Sequence, residues 1–230
     1  MAGAGSGGNL RGAALMTAAA LIFAFEALMI RWMTERGVPV ATQLLFRCCG
    51  QLLWVVPAIV RLGFAGVFAT RRPALHLLRG GASLVTWALY FLSLGWLDLA
   101  TAMLLSFTNV MFTTLLAGPV LGERVGPARW AGTVLGLAGV AVMLRPGADV
   151  PLAGALAGIG AALAWCVITF SSRALTRTER TETVVAWVGL VTLLGVLPWA
   201  VRDWAPIGGG DVLILAAFGL VTPGILWLLV

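Results

Sequence analysis

One acid stands alone in an apolar stretch: Glu26, near the middle of the run that follows the Gly/Ala/Ser-rich N-terminus. A charged side chain at the centre of a membrane helix costs about 2.5 to 3.5 kcal/mol on insertion scales, so Glu26 must face a bundle interior or a wet cavity. In such a place a carboxyl suits proton exchange or the holding of a cationic substrate. It could equally serve as a structural partner for Arg47, two turns into the next apolar run. Further along, Ser83, Thr86, Tyr90 and Ser93 recur at steps of three, four and three, and Ser106, Asn109 and Thr113 do the same. Each set shares one helix face. Trp165, Thr169 and Ser172 make a third stripe. Facing stripes of this kind could line a substrate cavity, with Trp87 and Trp165 as deep aromatic members. Alternatively the Ser and Thr hydroxyls bond back to their own helix carbonyls, which is a silent role. Tyr90 and Asn109 carry larger polar groups that need partners outside their own helix.

Much chemistry is excluded. All fifteen basic residues are arginine, so no lysine Schiff base can form. His76 is the single histidine and rules out a multi-histidine metal or haem site. It is expected as a solvated residue of a basic loop. Cys48, Cys49 and Cys166 lie in apolar runs without metal spacing and read as small hydrophobes. No HExxH, GxSxG or Gly-Lys-Ser/Thr phosphate loop occurs. No cofactor is implied.

The elements that must position these residues are membrane helices. Hydrophobic residues make up 60% of the 230-residue chain and charged residues 10%, whereas a soluble domain is about half apolar and a quarter charged. The formal charge of +6 is spread over several loops. A nucleic-acid face would instead gather it on one surface. The pattern predicts an all-α, polytopic transmembrane bundle with eight helices, at about 12–33, 41–60, 80–97, 100–121, 130–145, 152–172, 183–201 and 212–230. Trp32, Trp96, Trp130, Trp199 and Trp204 fall at helix ends, where they suit the bilayer interface.

The pattern restarts. At an offset of 142, Leu10, Gly12, Ala13, Arg31 and Thr34 meet Leu152, Gly154, Ala155, Arg173 and Thr176, and Phe23 meets Trp165. At an offset of 141, Pro57 and Arg61 meet Pro198 and Arg202. With the N-terminus placed inside, ten arginines fall in cytoplasmic segments and four outside, as the positive-inside rule requires. Five helices precede the restart, so the second copy enters from the opposite face: two inverted repeats, 1–147 and 148–230, the arrangement of many transporters. Small residues four apart, such as Gly132 and Gly136 or Gly154 and Gly158, permit close helix approach. They serve either packing within the bundle or a homodimer face, so monomer and homodimer both stay open.

From Tyr90 to Gly147 the chain resembles the EamA-type repeat of the drug/metabolite transporter superfamily. The resemblance rests on Tyr90, the block Leu121-Gly122-Glu123-Arg124, Trp130-Ala131-Gly132 and the glycine-rich Gly136-Leu137-Ala138-Gly139-Val140; Phe46-Arg47 and Leu163-Ala164-Trp165 also fit. It implies a carrier of ten helices in two inverted five-helix repeats, moving a small organic solute by alternating access through the inner membrane with both termini cytoplasmic. On that expectation eight helices of ten are present and the second repeat is cut short; a natural eight-helix protein is the alternative. Glu26, Tyr90, Asn109, Trp165, Thr86 and Trp87 would contact substrate. Arg47, Glu123 and Arg124 would be structural or coupling residues, with the Gly122-Glu123-Arg124 turn stabilising the cytoplasmic end of its helix. Two positions depart from the family pattern: Asn109 stands where many relatives have proline, and Glu26 where an uncharged polar residue is common. Both add polarity to the expected cavity, and Glu26 biases it toward cationic or proton-coupled substrates, by analogy with the first-helix glutamate of small multidrug resistance proteins. A membrane enzyme or sensor without transport, and a packing scaffold, are the competing readings.

Overall fold

The computed structural model describes residues 6–122, 126–143 and 150–228. Over these the chain is helical: α1 (Ser6–Glu35), α2 (Val40–Leu53), α3 (Val56–Phe68), α4 (Pro73–Trp96), α5 (Leu99–Leu121), α6 (Pro127–Met143), α7 (Leu152–Leu175), α8 (Thr181–Arg202) and α9 (Gly209–Leu228). Among the described residues α4, α5, α7 and α8 are long and apolar enough to cross a bilayer, and α2 with α3 passes as one bent span. With no water in hydrocarbon to bond the backbone, long uninterrupted helices are what such a sequence must form.

The single helix expected over 41–60 is in fact two, with axes 77° apart. Pro57 lies in the first turn of α3. Its ring removes the amide that would bond the Leu53 carbonyl and crowds that carbonyl, so α2 ends at Leu53. Gly63 then takes φ 73°, a left-handed conformation that puts a second bend inside α3. The next helix begins earlier than expected, with Pro73 supplying the preset φ of a first turn. His76 and Arg79 therefore belong to α4.

Both ends of α5 have a local cause. Asp98 caps α5 by accepting the Thr101 amide at 2.9 Å. Gly122 closes it in the left-handed conformation at φ 68°. The hydrogen bonds from Thr101 hold the Asp98 carboxyl below its usual range. A lowered folded-state value stabilises above about pH 4 and is lost as pH falls through it. Asp98→Ala should cost about 1 kcal/mol, with a smaller penalty below pH 4, read by thermal unfolding in detergent at two pH values.

α4 is the central element. It packs along α7 and α8 and also touches α1, α2 and α5, while α2 lies against α8 and α9, and α5 against α7. The core joins Ala27 and Ile30 of α1, Trp87, Tyr90, Phe91 and Leu94 of α4, Leu105 of α5 and Ala161 of α7. Gly154 and Gly158 serve packing within the bundle: a Cβ at Gly154 would strike Leu97 and Trp96, and one at Gly158 would strike Leu105 and Ser93. Nothing lies within 4 Å of a Cβ at Gly132.

The loops gather at two ends. At one, the Arg36 Nη2–Asp211 Oδ1 ion pair (2.9 Å) joins the α1–α2 turn to the start of α9. At the same end Arg31 donates to the carbonyls of Leu94 (3.0 Å) and Leu97, placing a cation at the α4 C-terminus. At the other end, Thr70 Oγ1 donates to Glu179 Oε1 (2.9 Å), joining the α3–α4 and α7–α8 loops.

Candidate functional site

Five of the stripe positions converge. Where α1, α4, α5 and α7 meet, a cavity of about 240 Å³ is lined by Ala20 and Phe23, Thr86 and Tyr90, Ser106, Phe107 and Asn109, and Ala161, Ala162 and Trp165. Small residues on α7 leave the space, and aromatic residues shape its walls. Phe23 stacks on Tyr90 with ring centroids 5.4 Å apart and planes 17° apart. Trp165 stands edge-on to Phe23 at 6.5 Å. Such offset and edge geometries are the preferred ones for aromatic quadrupoles.

A buried charge pair stands behind the wall. Arg47 Nε donates to Glu26 Oε1 at 2.9 Å, and both side chains are almost wholly buried. The Arg47 guanidinium lies over the Trp87 ring, 3.6 Å from its centroid. Trp87 in turn meets Trp165 at 5.8 Å and Tyr90 at 6.2 Å. A chain of contacts thus runs from the ion pair through Trp87 to two residues of the cavity. The second oxygen of Glu26 has no hydrogen-bond partner.

Polar groups in the wall divide into two kinds. Ser106 Oγ donates to the Met103 carbonyl at 2.7 Å, and outside the wall Thr113 Oγ1 lies 3.4 Å from Cys166 Sγ. Those groups are satisfied. Thr86 Oγ1 and the Tyr90 hydroxyl are buried without a partner, although buried hydroxyls are normally bonded. They are free to meet a ligand.

Of the residues singled out from sequence, Thr86, Tyr90, Asn109 and Trp165 line the cavity. Glu26 and Trp87 do not. Glu26 is occupied by Arg47, and Trp87 is the layer between that pair and the cavity. Glu123 and Arg124 lie outside the described residues. Phe23 was visible only as the repeat partner of Trp165, and Ala20, Phe107, Ala161 and Ala162 carried no polar signal to mark them. His76 is not a solvated loop residue: it is fully buried, 5.5 Å from the Trp187 ring and nearly parallel to it. Pro73 starts the helix early enough to carry it inward. Cys48 and Cys166 are buried among apolar residues, and Cys49 is exposed.

The fold defines a multi-pass helical membrane protein built around an internal cavity. The chain belongs to the EamA-like transporter family, whose family model matches residues 10–145. It is 32% identical over 214 residues to a riboflavin transporter of Rhizobium johnstonii, covering 92% of this chain and 70% of that protein. A riboflavin transporter of Vibrio cholerae is 29% identical over 225 residues, covering 95% and 74%. An S-adenosylmethionine uptake transporter of Rickettsia prowazekii is 27% identical over 177 residues, covering 76% and 59%. A solved crystal structure superposes with a TM-score of 0.68 at 24% identity, covering 95% of this chain and 77% of that one, and shares the fold.

Proposed function

We propose that this protein is a secondary transporter that carries a planar heteroaromatic metabolite by alternating access through the α1–α4–α5–α7 cavity. The observation that carries the reading is the aromatic wall of Phe23, Tyr90 and Trp165 with the unpartnered hydroxyls of Tyr90 and Thr86 beside it. Stacked faces hold a flat ring, and free hydroxyls address its ring nitrogens or carbonyls. At about 240 Å³ the space is below the ~300–1,000 Å³ of drug-sized sites, so it suits a ring system whose polar tail extends outward. Riboflavin and S-adenosylmethionine, the solutes in the relatives' names, both have that build.

Tyr90, Thr86, Asn109 and Trp165 are the contact residues in this reading, with Phe23 added. Glu26 is assigned to coupling through its pair with Arg47. A cationic substrate is disfavoured as its partner because the guanidinium already neutralises it. Two inverted repeats, 1–147 and 148–230, with a cytoplasmic N-terminus in the inner membrane, are supported by the family match over 10–145 and by the gathering of alternate loops at opposite ends. Labelling of the Arg71–Arg72 loop from the outer face would overturn that orientation.

Uptake of radiolabelled riboflavin and S-adenosylmethionine into proteoliposomes, with and without a pH gradient, tests the function. Accumulation of at least one is expected. Trp165→Ala should then lower transport about tenfold, since stacking on one aromatic ring is worth about 1–3 kcal/mol. Tyr90→Phe should lower it roughly threefold to tenfold through one lost hydrogen bond. Transport unchanged by Trp165→Ala would remove the cavity from the pathway.

A further inference from the structure

The polar stripe of α4 is longer than the cavity it lines. It runs His76, Arg79, Ser83, Thr86, Tyr90 and Ser93, at steps of three, four, three, four and three, down one face of the central helix. All but the half-buried Arg79 are buried. Unpartnered polar atoms concentrate there: both ring nitrogens of His76, Arg79 Nη1, Thr86 Oγ1, the Tyr90 hydroxyl and Ser93 Oγ. Most hydroxyls of α5, α7 and α8 behave differently, although Thr42 of α2 shares the unpartnered state. Thr108, Thr114, Thr169 and Thr192 each donate to a carbonyl of their own helix. Thr86 and Ser93 could do the same and do not. A row of buried unsatisfied groups costs free energy and stabilises nothing as it stands. It is accounted for if water or solute meets those groups in another conformation.

The row ends at a polar mouth. Below His76, a cavity of about 620 Å³ is lined by Ala69, Thr70, Arg71, Arg72, Thr178 and Glu179. Between mouth and central cavity the stripe is covered by α7 and α8. A Cβ at Gly80 would strike Val191 of α8, and α7 lies along α4. Two contacts close the mouth end. His76 stacks on Trp187, whose Nε1 also donates to the Phe68 carbonyl at 3.2 Å, and Arg79 Nε donates to Ser172 Oγ at 2.7 Å.

We propose that the α4 stripe is the route by which solute passes between the central cavity and the Arg71–Arg72 end, shut here by α7 and α8. The His76–Trp187 stack and the Arg79–Ser172 hydrogen bond are the contacts that part when it opens. The proposal rests on the cavity being the solute site, and its test needs no solute. In the full chain with Cys48, Cys49 and Cys166 replaced by alanine, single cysteines are placed at Ser83 on the stripe and at the exposed Val85 and Val110. A polar methanethiosulfonate reagent is then applied to proteoliposomes. Only a hydrated thiol forms the reactive thiolate, so Ser83→Cys should be modified about tenfold faster than the two lipid-facing positions. Adding Trp187→Ala should speed Ser83→Cys further and leave Val85→Cys unchanged. Should the cysteine-free chain not fold, the native cysteines stay and modification is read on the separate peptides by mass. Equal, slow modification at Ser83 and Val85, with no response to Trp187→Ala, would overturn the route. Fast labelling with no uptake of either tested solute would leave the route standing and fault the substrate assignment.

Discussion

Arg47→Met should destabilise the protein by about 3–5 kcal/mol, the usual cost of stranding a buried charge. Glu26 lies fully buried with one oxygen on Arg47 and the other unpartnered, so losing the guanidinium leaves the carboxylate with neither counter-charge nor donor. The variant also uncovers the Trp87 face, a cation–π contact worth about 0.5–2 kcal/mol. Arg47→Lys should recover part of the loss: it keeps the charge but not the flat guanidinium that stacks on Trp87 while bonding Glu26. The double variant Glu26→Gln with Arg47→Met should lie close to wild type, because an uncharged pair of similar volume avoids the desolvation of both ions. Thermal unfolding in detergent measures all three. A double variant as unstable as Arg47→Met would mean that the pair itself, not the stranded charge, carries the effect. Transport by Glu26→Gln separates structure from coupling. If Glu26 exchanges a proton as the pair opens and closes, the folded variant should lose its response to a pH gradient. Gradient-driven transport equal to wild type would exclude Glu26 from coupling.

Gly50→Ala and Gly219→Ala should each separate α9 from α2. A Cβ at Gly50 would fall on the Gly219 carbonyl, and a Cβ at Gly219 would fall on the Phe46 carbonyl. Both obstacles are backbone, so no side-chain rotation relieves them. Overpacking of this kind costs at least the upper part of about 1–3 kcal/mol. In a bilayer no hydrophobic drive compensates, since close backbone approach is itself the attraction between helices. The bond from Trp54 Nε1 to the Leu220 carbonyl (2.6 Å) and the Arg36–Asp211 pair would be lost with it. Gly81→Ala is the contrast: nothing lies within 4 Å of its Cβ, and the change should be neutral or stabilising by up to about 1 kcal/mol. Limited proteolysis in detergent should cut the 203–208 segment faster in both clashing variants and not in Gly81→Ala. Equal cleavage in all three would mean that α2 and α9 can adjust around a methyl group.

What could be read before folding follows from periodicity. Ser83, Thr86, Tyr90 and Ser93 had to share a face because an α-helix returns every 3.6 residues, and that face does meet the cavity. The stripe extends to His76 because Pro73 starts its helix, seven residues before the start at 80 that the apolar pattern predicts. The break at Pro57 was legible as a residue but not as a 77° bend, since neighbouring helices decide whether a proline kinks a span or ends it. Silent Ser/Thr back-bonding holds on α5, α7 and α8 and fails for Thr86 and Ser93, a difference that lies in what packs against each helix.

By itself the sequence determined an all-helical membrane protein of the EamA type. It also showed which residues break the apolar pattern, because bilayer insertion depends on composition counted along the chain. Only the tertiary structure decided that Glu26 faces Arg47 rather than the cavity, that Trp87 carries that pair to Trp165, and that Phe23 completes the aromatic wall. Those pairings join residues 21 to 78 positions apart. They are set by how α1, α2, α4 and α7 turn toward one another, and helix rotation depends on packing between helices rather than on the pattern within any one of them.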